Sequence, residues 1–390
     1  MNYVLFDDEN RVNLLPLVFT RPVCEMRIGI RTIREKWEFY LQKEVSFYTQ
    51  DYLQKKYPLT IADDSLFING SILPDQVLVQ TISSLNPGEQ LVKDDELIAF
   101  RATKTDIENV IKTKNLKTVS YESSIFQVKK TWDIFSKNDE ALINDFALHT
   151  KEKKSSELSD TNFVIGNRDD IYLEEGAKVE FAFLNTLSGP IYIGKDAEVM
   201  EGSKIRGPFA LCAHSQIKMD AKIYGATTIG PHCKVGGEIN NAVFFGYSNK
   251  AHDGFLGNSV IGEWVNLGAD TNNSNLKNTY DEVKLWSYAE KRFINTGLRF
   301  CGLVMGDHSK TGINTMFNTG TVVGVSCNLF GSGYQRNFIP SYSWGSPLKM
   351  LTYDLEKSFQ VTRAVMARRG IDFDQTEQDI LSHIYNITRN

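Results

Sequence analysis

"IYIGKDAEVMEGSKIRGPFALCAHSQIKMDAKIYGATTIGPHCKV", residues 191–235, places an aliphatic side chain at every sixth position. Ile193, Val199, Ile205, Leu211, Ile217, Ile223, Ile229 and Val235 form one unbroken row. A period of six matches neither the 3.6 of a helix nor the two of an amphipathic strand. It fits a parallel β-helix of hexapeptide repeats, in which one inward side chain marks each face of a triangular coil. Three hexads close a coil, and coils stack about 4.8 Å apart. An ordinary β-sandwich would instead alternate in twos, with no fixed count of six. Small residues fill many of the intervening positions, as in "IGKDAE", "IGPHCK", "IGEWVN" and "MGDHSK", and suit tight corners.

The beat returns at Phe255, Ile261 and Leu267, and again from Met305 through Thr311, Phe317 and Val323 to Leu329. Glycine follows the same division: three before residue 150, against 24 between 166 and 345. The first stretch has an α/β layout, with "YVLF" and "VSFYT" as strands and "RTIREKWEFYLQ" and "DIENVIKT" as helices. "WDIFSKNDEALINDFALH" reads as a closing helix and the polar "TKEKKSSELSD" as a linker. The expected organisation is an α/β domain over residues 1–155, a β-helix over 160–345 and a helical tail over 346–390. That tail, "YDLEKSFQVTRAVMARRG" and "QTEQDILSHIYNI", is expected to fold back on the prism or cover its last strand edge.

A net charge of −5 gives no reason to expect nucleic acid or an anionic membrane as partner. The acidic start "MNYVLFDDENR" is unlike a signal peptide, and no stretch reaches the 18 apolar residues of a membrane span. Cys24, Cys212, Cys233, Cys301 and Cys327 are odd in number and never paired as CxxC, so they read as small buried side chains in a reducing compartment. A cytoplasmic location is expected.

The row breaks twice. From Val235 to Phe255 is two residues more than one coil, and from Leu267 to Met305 two more than two coils. Each excess predicts a loop leaving the prism, and loops are what a flat-faced prism needs to make a site. "NKAHDGFLG", residues 249–257, lies in the first break, and "DTNNSNLKNTYDEVKLWSYAEKRFINTG" fills the second. His252, preceded by Lys250 and followed by Asp253 and Gly254, is the candidate base; a plain surface histidine is the alternative.

The stretch "SNKAHDGFLGNSVIGEWVNLGADTNNSN", with "MGDHSKTGINTMFNTGTVVG" after it, resembles the acetyltransferase half of a bifunctional family. In that family N-acetylglucosamine-1-phosphate uridyltransferase is fused to glucosamine-1-phosphate N-acetyltransferase on a left-handed β-helix. Lys250, Ala251, His252, Leu256, Gly257, Ile261, Gly262, Asn266, Gly268 and Ala269 match its signature. The resemblance implies His252 as general base, Asn266 and Lys250 as acceptor contacts, and Gly268, Ala269 and Asn275 beside acetyl-CoA. It also implies an amino-sugar phosphate as acceptor and a homotrimer as the assembly. The chemistry is coherent: a near-neutral imidazole can deprotonate an amine, backbone N–H groups can hold the oxyanion, and no covalent intermediate is needed. Three positions depart from the family. Asn240 stands where a lysine binds the sugar phosphate, Phe255 replaces a tyrosine, and Ile313 replaces a serine near the coenzyme. Lys218, Arg206, Arg368 and Arg369 are further candidates for phosphate contacts, with a solvated face as the ordinary alternative for each.

"LLPLVFTRPVCEMRIGIRTIREKW", residues 14–37, resembles the start of a sugar nucleotidyltransferase through Pro16, Leu17, Arg21, Pro22, Gly29 and the helix from Thr32. Arg21 and Arg27 are candidate phosphate contacts, and Asp7 or Asp8 a candidate Mg²⁺ ligand, for a UTP-like substrate. "FDDENR" lacks the glycine-rich turn, Val23 replaces a lysine, and Ser71 stands where a metal-binding aspartate is expected. Two other classes compete. A zinc hydratase on the same prism needs three histidines, and His214 and His232 are 18 residues apart. A non-catalytic trimeric scaffold or sugar-nucleotide sensor would need none of this chemistry.

Overall fold

The computed structural model describes residues 1–103, 116–151 and 153–389; the helix expected over "DIENVIKT" lies outside the described residues. The chain forms two compact units. One comprises Met1–Leu14, Thr20–Met26 and Arg31–Lys129, the other Leu15–Phe19, Arg27–Ile30 and Lys130–Asn390. No helix among the described residues is long and apolar enough to cross a membrane.

The first unit is built on a six-stranded mixed sheet in the order Ser46–Tyr48, Asn2–Phe6, Asp64–Asn69, Glu96–Thr103, Glu89–Lys93, Lys117–Ser120. The helix Ile33–Leu41 begins at a full capping box. Thr32 accepts the Glu35 N–H, and the Glu35 carboxylate accepts that of Thr32. Trp37 then anchors the helix, wholly buried, with its indole N–H on the Ile72 carbonyl at 2.8 Å.

The second unit is a parallel β-solenoid of about 10 turns. One inward column runs Leu173, Ile193, Leu211, Ile229, Phe244, Ile261, Met305, Val323, Ile339, each registered on the next. A second runs Val179, Val199, Ile217, Val235, Lys250, and a third Val164, Leu184, Ile205, Ile223, Ile239, Leu256. The six-residue row in the sequence is thus three columns read in turn. Glycine is not the only corner residue: Asp196, His214, Asp220, His232, Tyr247, Trp264, Asp270 and His308 all adopt positive φ. Asp and His tolerate that conformation better than most side chains.

The first break in the row is not a loop. The turn from Ile229 to Phe244 takes 15 residues and the next, to Ile261, takes 17, so the coil is shortened rather than extended. The phase shifts by one as a result. Leu256, not Phe255, enters the core on Ile239, and Phe255 is only half-buried. Leu256→Ala should therefore destabilise by about 2–5 kcal/mol, and Phe255→Ala by clearly less, measured by denaturant unfolding. The second break is a true excursion, since 44 residues separate Ile261 from its neighbour Met305. It carries the antiparallel hairpin Lys284–Ser287 and Arg292–Asn295, pinned by Trp286 stacking on Phe338 at 4.2 Å.

Helices flank the prism. Asn138–Thr150 docks through Asn138, which donates to the Ala226 carbonyl at 2.9 Å, and through Leu142 packed with Tyr172, Tyr192 and Ile30. Gln375–Arg389 lies against the last coil, where the Tyr342 hydroxyl donates to the Leu381 carbonyl and Arg389 to Ser343. All five cysteines are buried.

Candidate active site

The outward positions of the second face register as Lys234, Asn249, Asn266 and Lys310. Beside them runs a stack of corner rings, His214, His232, Tyr247, Trp264 and His308, with successive centroids 4.9, 4.7, 4.3 and 6.3 Å apart. The helix Leu355–Ala367 presents Val361 and Val365 to this face, and Arg368 and Arg369 follow at its end. Between them lies a cleft of about 710 Å³, lined also by His252. The histidine stands exposed on the next corner, in the turn between the strands Asn249–Lys250 and Phe255–Glu263.

Cations dominate this cleft. Lys234, Lys310, Arg368 and Arg369 all line it, with no carboxylate among its described lining residues. Burial lowers the Lys234 ammonium, and Arg369, Lys218 and Arg368 lower it further. Burial alone brings Lys310 down to about 8, although its ammonium donates to the His308 and Trp264 carbonyls at 2.9 and 3.3 Å. Arg369 donates to the His232 carbonyl at 3.1 Å, which fixes the end of the helix over the cleft. Four positive charges, two of them partly desolvated, are a site that polyphosphate would relieve.

A consequence for stability follows with a definite sign. With its folded pKa below the ordinary 10.5, Lys310 binds fewer protons folded than unfolded between about pH 8 and 10.5, so its contribution to stability rises with pH there. Lys310→Met should be relatively more stabilising at pH 7 than at pH 10, by on the order of 1–3 kcal/mol. Thermal melts of both proteins at the two pH values check it.

The expected acetyl-transfer residues divide. His252, Asn266, Gly268 and Ala269 line the cleft together, as does the exposed Ile313. Gly268 has a packing reason to be glycine: a Cβ there would lie 2.5 Å from the Gly312 backbone of the next coil. Lys250 is turned into the coil, 1% exposed, with its ammonium on backbone carbonyls. Asn275 donates to Asn258 at 2.8 Å and does not line the cleft. Asn240 and Arg206 share a different groove, with Asn241, Asn258 and Phe300. Lys218 donates to Gln216 at 3.0 Å. Sequence reasoning missed Lys234, Lys310, Tyr247 and Trp264. Their alignment depends on coil lengths of 15, 17 and 44 residues, which no fixed count of six contains.

His214 and His232 do stack on adjacent coils. Among the described residues, however, no group of three or more His, Cys, Asp or Glu is placed to hold a metal ion.

Of the nucleotidyltransferase candidates, Asp7 and Asp8 line one cleft, and neither Arg21 nor Arg27 is among its described lining residues. The Asp7 carboxylate is buried and receives the Val23 N–H at 2.8 Å, the Thr49 hydroxyl at 2.5 Å and the Arg11 guanidinium at 3.2 Å. Asp8 receives Asn10 and Asn69. Arg27 belongs to the second unit, where it donates to the carbonyls of Phe245 and Ile30. Arg21 is buried, with Thr20 at 3.4 Å. A cleft of about 670 Å³ beside Asp7, Asp8, Glu9, Asp95 and Glu96 has no lysine or arginine among its described lining residues. With Asp7 already taking three donors and no described cation lining the cleft, these residues do not fit a Mg²⁺-bound triphosphate.

Comparison with known proteins bears on both units. Residues 3–154 match the family described as sugar nucleotidyl transferase. The chain is 27% identical over 229 residues to the bifunctional sugar-1-phosphate nucleotidylyltransferase/acetyltransferase of Sulfurisphaera tokodaii, covering 58% of this chain and 50% of that protein. It is 28% identical over 221 residues to the bifunctional protein GlmU of Methanocaldococcus jannaschii, covering 57% and 47%. The chain thus spans about half the length of these relatives. Among solved structures it is similar to a UDP-N-acetylglucosamine acyltransferase from Campylobacter jejuni, with a TM-score of 0.35 and 15% identity over 60% of this chain and 85% of that one.

Proposed function

We propose that the second unit transfers an acetyl group from acetyl-CoA to the amine of an amino-sugar phosphate, of the glucosamine-1-phosphate kind, with His252 as general base. One observation carries this: His252 shares a cleft with Lys234, Lys310, Arg368 and Arg369. Those four cations suit the phosphates of coenzyme A, and the imidazole suits an acceptor amine at the cleft's edge.

As the amine nitrogen bonds to the thioester carbonyl carbon, His252 takes the amine's proton. The oxyanion then collapses, the carbon–sulfur bond breaks, and the proton goes to the leaving thiolate. Asn266, exposed in the same cleft, is the acceptor contact; Gly268 and Ala269 line the coenzyme side. No step is derived through the first unit, whose described residues hold neither a metal site nor a cation cradle for UTP. A homotrimer belongs to the same proposal, and light scattering would show three times the 44.2 kDa chain.

Purified protein with acetyl-CoA, glucosamine-1-phosphate and a thiol dye is the test. Coenzyme A release that depends on the amine supports the reading. Its absence leaves the scaffold or sensor alternative.

A further inference from the structure

The second inward column reads Val179, Val199, Ile217, Val235 and then Lys250. A lysine stands where the four preceding coils place aliphatic side chains, and it is among the largest fully buried side chains of the protein. Its ammonium donates to the carbonyls of Gly236 at 3.2 Å, His252 at 2.7 Å and Asp253 at 3.1 Å. All three N–H bonds are thereby used. Among the described residues no carboxylate reaches it at ion-pair distance; Asp253 and Asp270 act on it only at longer range.

Isoleucine or valine would fill this column without desolvating a charge, so packing does not explain the choice. The lysine supplies something an aliphatic cannot: three donors aimed into one corner. Gly236 lies on the preceding coil, while His252 and Asp253 lie on its own, so the ammonium ties two successive corners together. Those corners are already in contact, since a Cβ at Gly237 would come within 2.9 Å of the His252 carbonyl oxygen and the Asp253 Cα. In a trans peptide the N–H points opposite to the C=O. Drawing the His252 carbonyl inward therefore turns the Asp253 N–H away from the coil interior and leaves the peptide little freedom to rotate.

We propose that Lys250 is a positioning residue, whose buried ammonium locks the corner 252–254 and so holds the His252 imidazole toward the cleft. The proposal rests on the acyl-transfer reading of that cleft. It assigns Lys250 a part in turnover without contact to substrate.

Lys250→Leu and Lys250→Met test it, beside wild type and His252→Ala, with coenzyme A release and thermal unfolding measured on each. Both Lys250 variants should melt at or above the wild-type temperature at pH 7, because the charge is gone. They should keep the KM for acetyl-CoA within about twofold and lose about 10- to 100-fold in kcat, the usual penalty for a misplaced catalytic group. The pH profile gives a second readout. Burial brings Lys250 down to about 8, partly offset by Asp253 and Asp270, so wild-type kcat should fall above that pH as a donor is lost. The Lys250→Leu profile should lack that fall. Wild-type kcat in both variants beside an inactive His252→Ala overturns the proposal, and so does a loss of kcat that merely tracks a loss of stability. A wild type that releases no coenzyme A instead sinks the acyl-transfer reading, and the proposal with it.

Discussion

Replacing His252 by alanine should lower kcat for coenzyme A release by about 10²–10⁴, the usual share of a general base. The KM for acetyl-CoA should change little, because the cations that would hold the phosphates lie elsewhere on the cleft wall. The fold should be indifferent to the change: the side chain is exposed, and the turn it sits on is held by Lys250 through backbone carbonyls. Unfolding curves of the two proteins should therefore overlay. A variant that keeps wild-type kcat would remove the histidine from the chemistry and leave it as a surface residue.

The second large effect is expected from the cleft's charge. Arg368→Ala with Lys310→Met should raise the KM for acetyl-CoA by about 10²- to 10⁴-fold, since each of the two charge-assisted hydrogen bonds contributes roughly 1.5–3 kcal/mol. The kcat at saturating acetyl-CoA should stay within a few-fold, which separates phosphate binding from proton transfer. Raising the salt concentration should weaken wild-type binding and affect the double variant much less. Arg369 is the poorer choice for this test, because its bond to the His232 carbonyl also fastens the helix.

Much of the fold was legible because each solenoid coil repeats the same local demand, one aliphatic side chain per face. Ile193 to Val235 obey it without exception, so the triangular coil follows from spacing alone. The shortened coils after Ile229 were not legible. A count of six can be broken by a loop or by a lost residue, and only the pairing of Ile239 with Leu256 distinguishes them. The column position of Lys250 was hidden for the same reason: the resemblance implied a substrate contact, whereas the side chain is buried in the coil. Arg27 shows the limit in the first unit. Its guanidinium caps the carbonyl of Phe245, 218 residues further on, and no local pattern announces a partner at that distance. The motif around His252 was legible because its cleft residues, His252, Asn266, Gly268 and Ala269, all fall within residues 252–269 of the chain. The cations opposite came from coils of unequal length and a distant helix, and sequence spacing alone does not bring those together.

A crystal structure with coenzyme A bound is the most direct check on whether this cleft is a thioester site. The phosphates should lie within hydrogen-bond distance of Lys234, Lys310, Arg368 or Arg369, with the sulfur end running toward the His252 ring. Coenzyme A seated away from those side chains, or with its sulfur directed away from His252, would contradict the assignment.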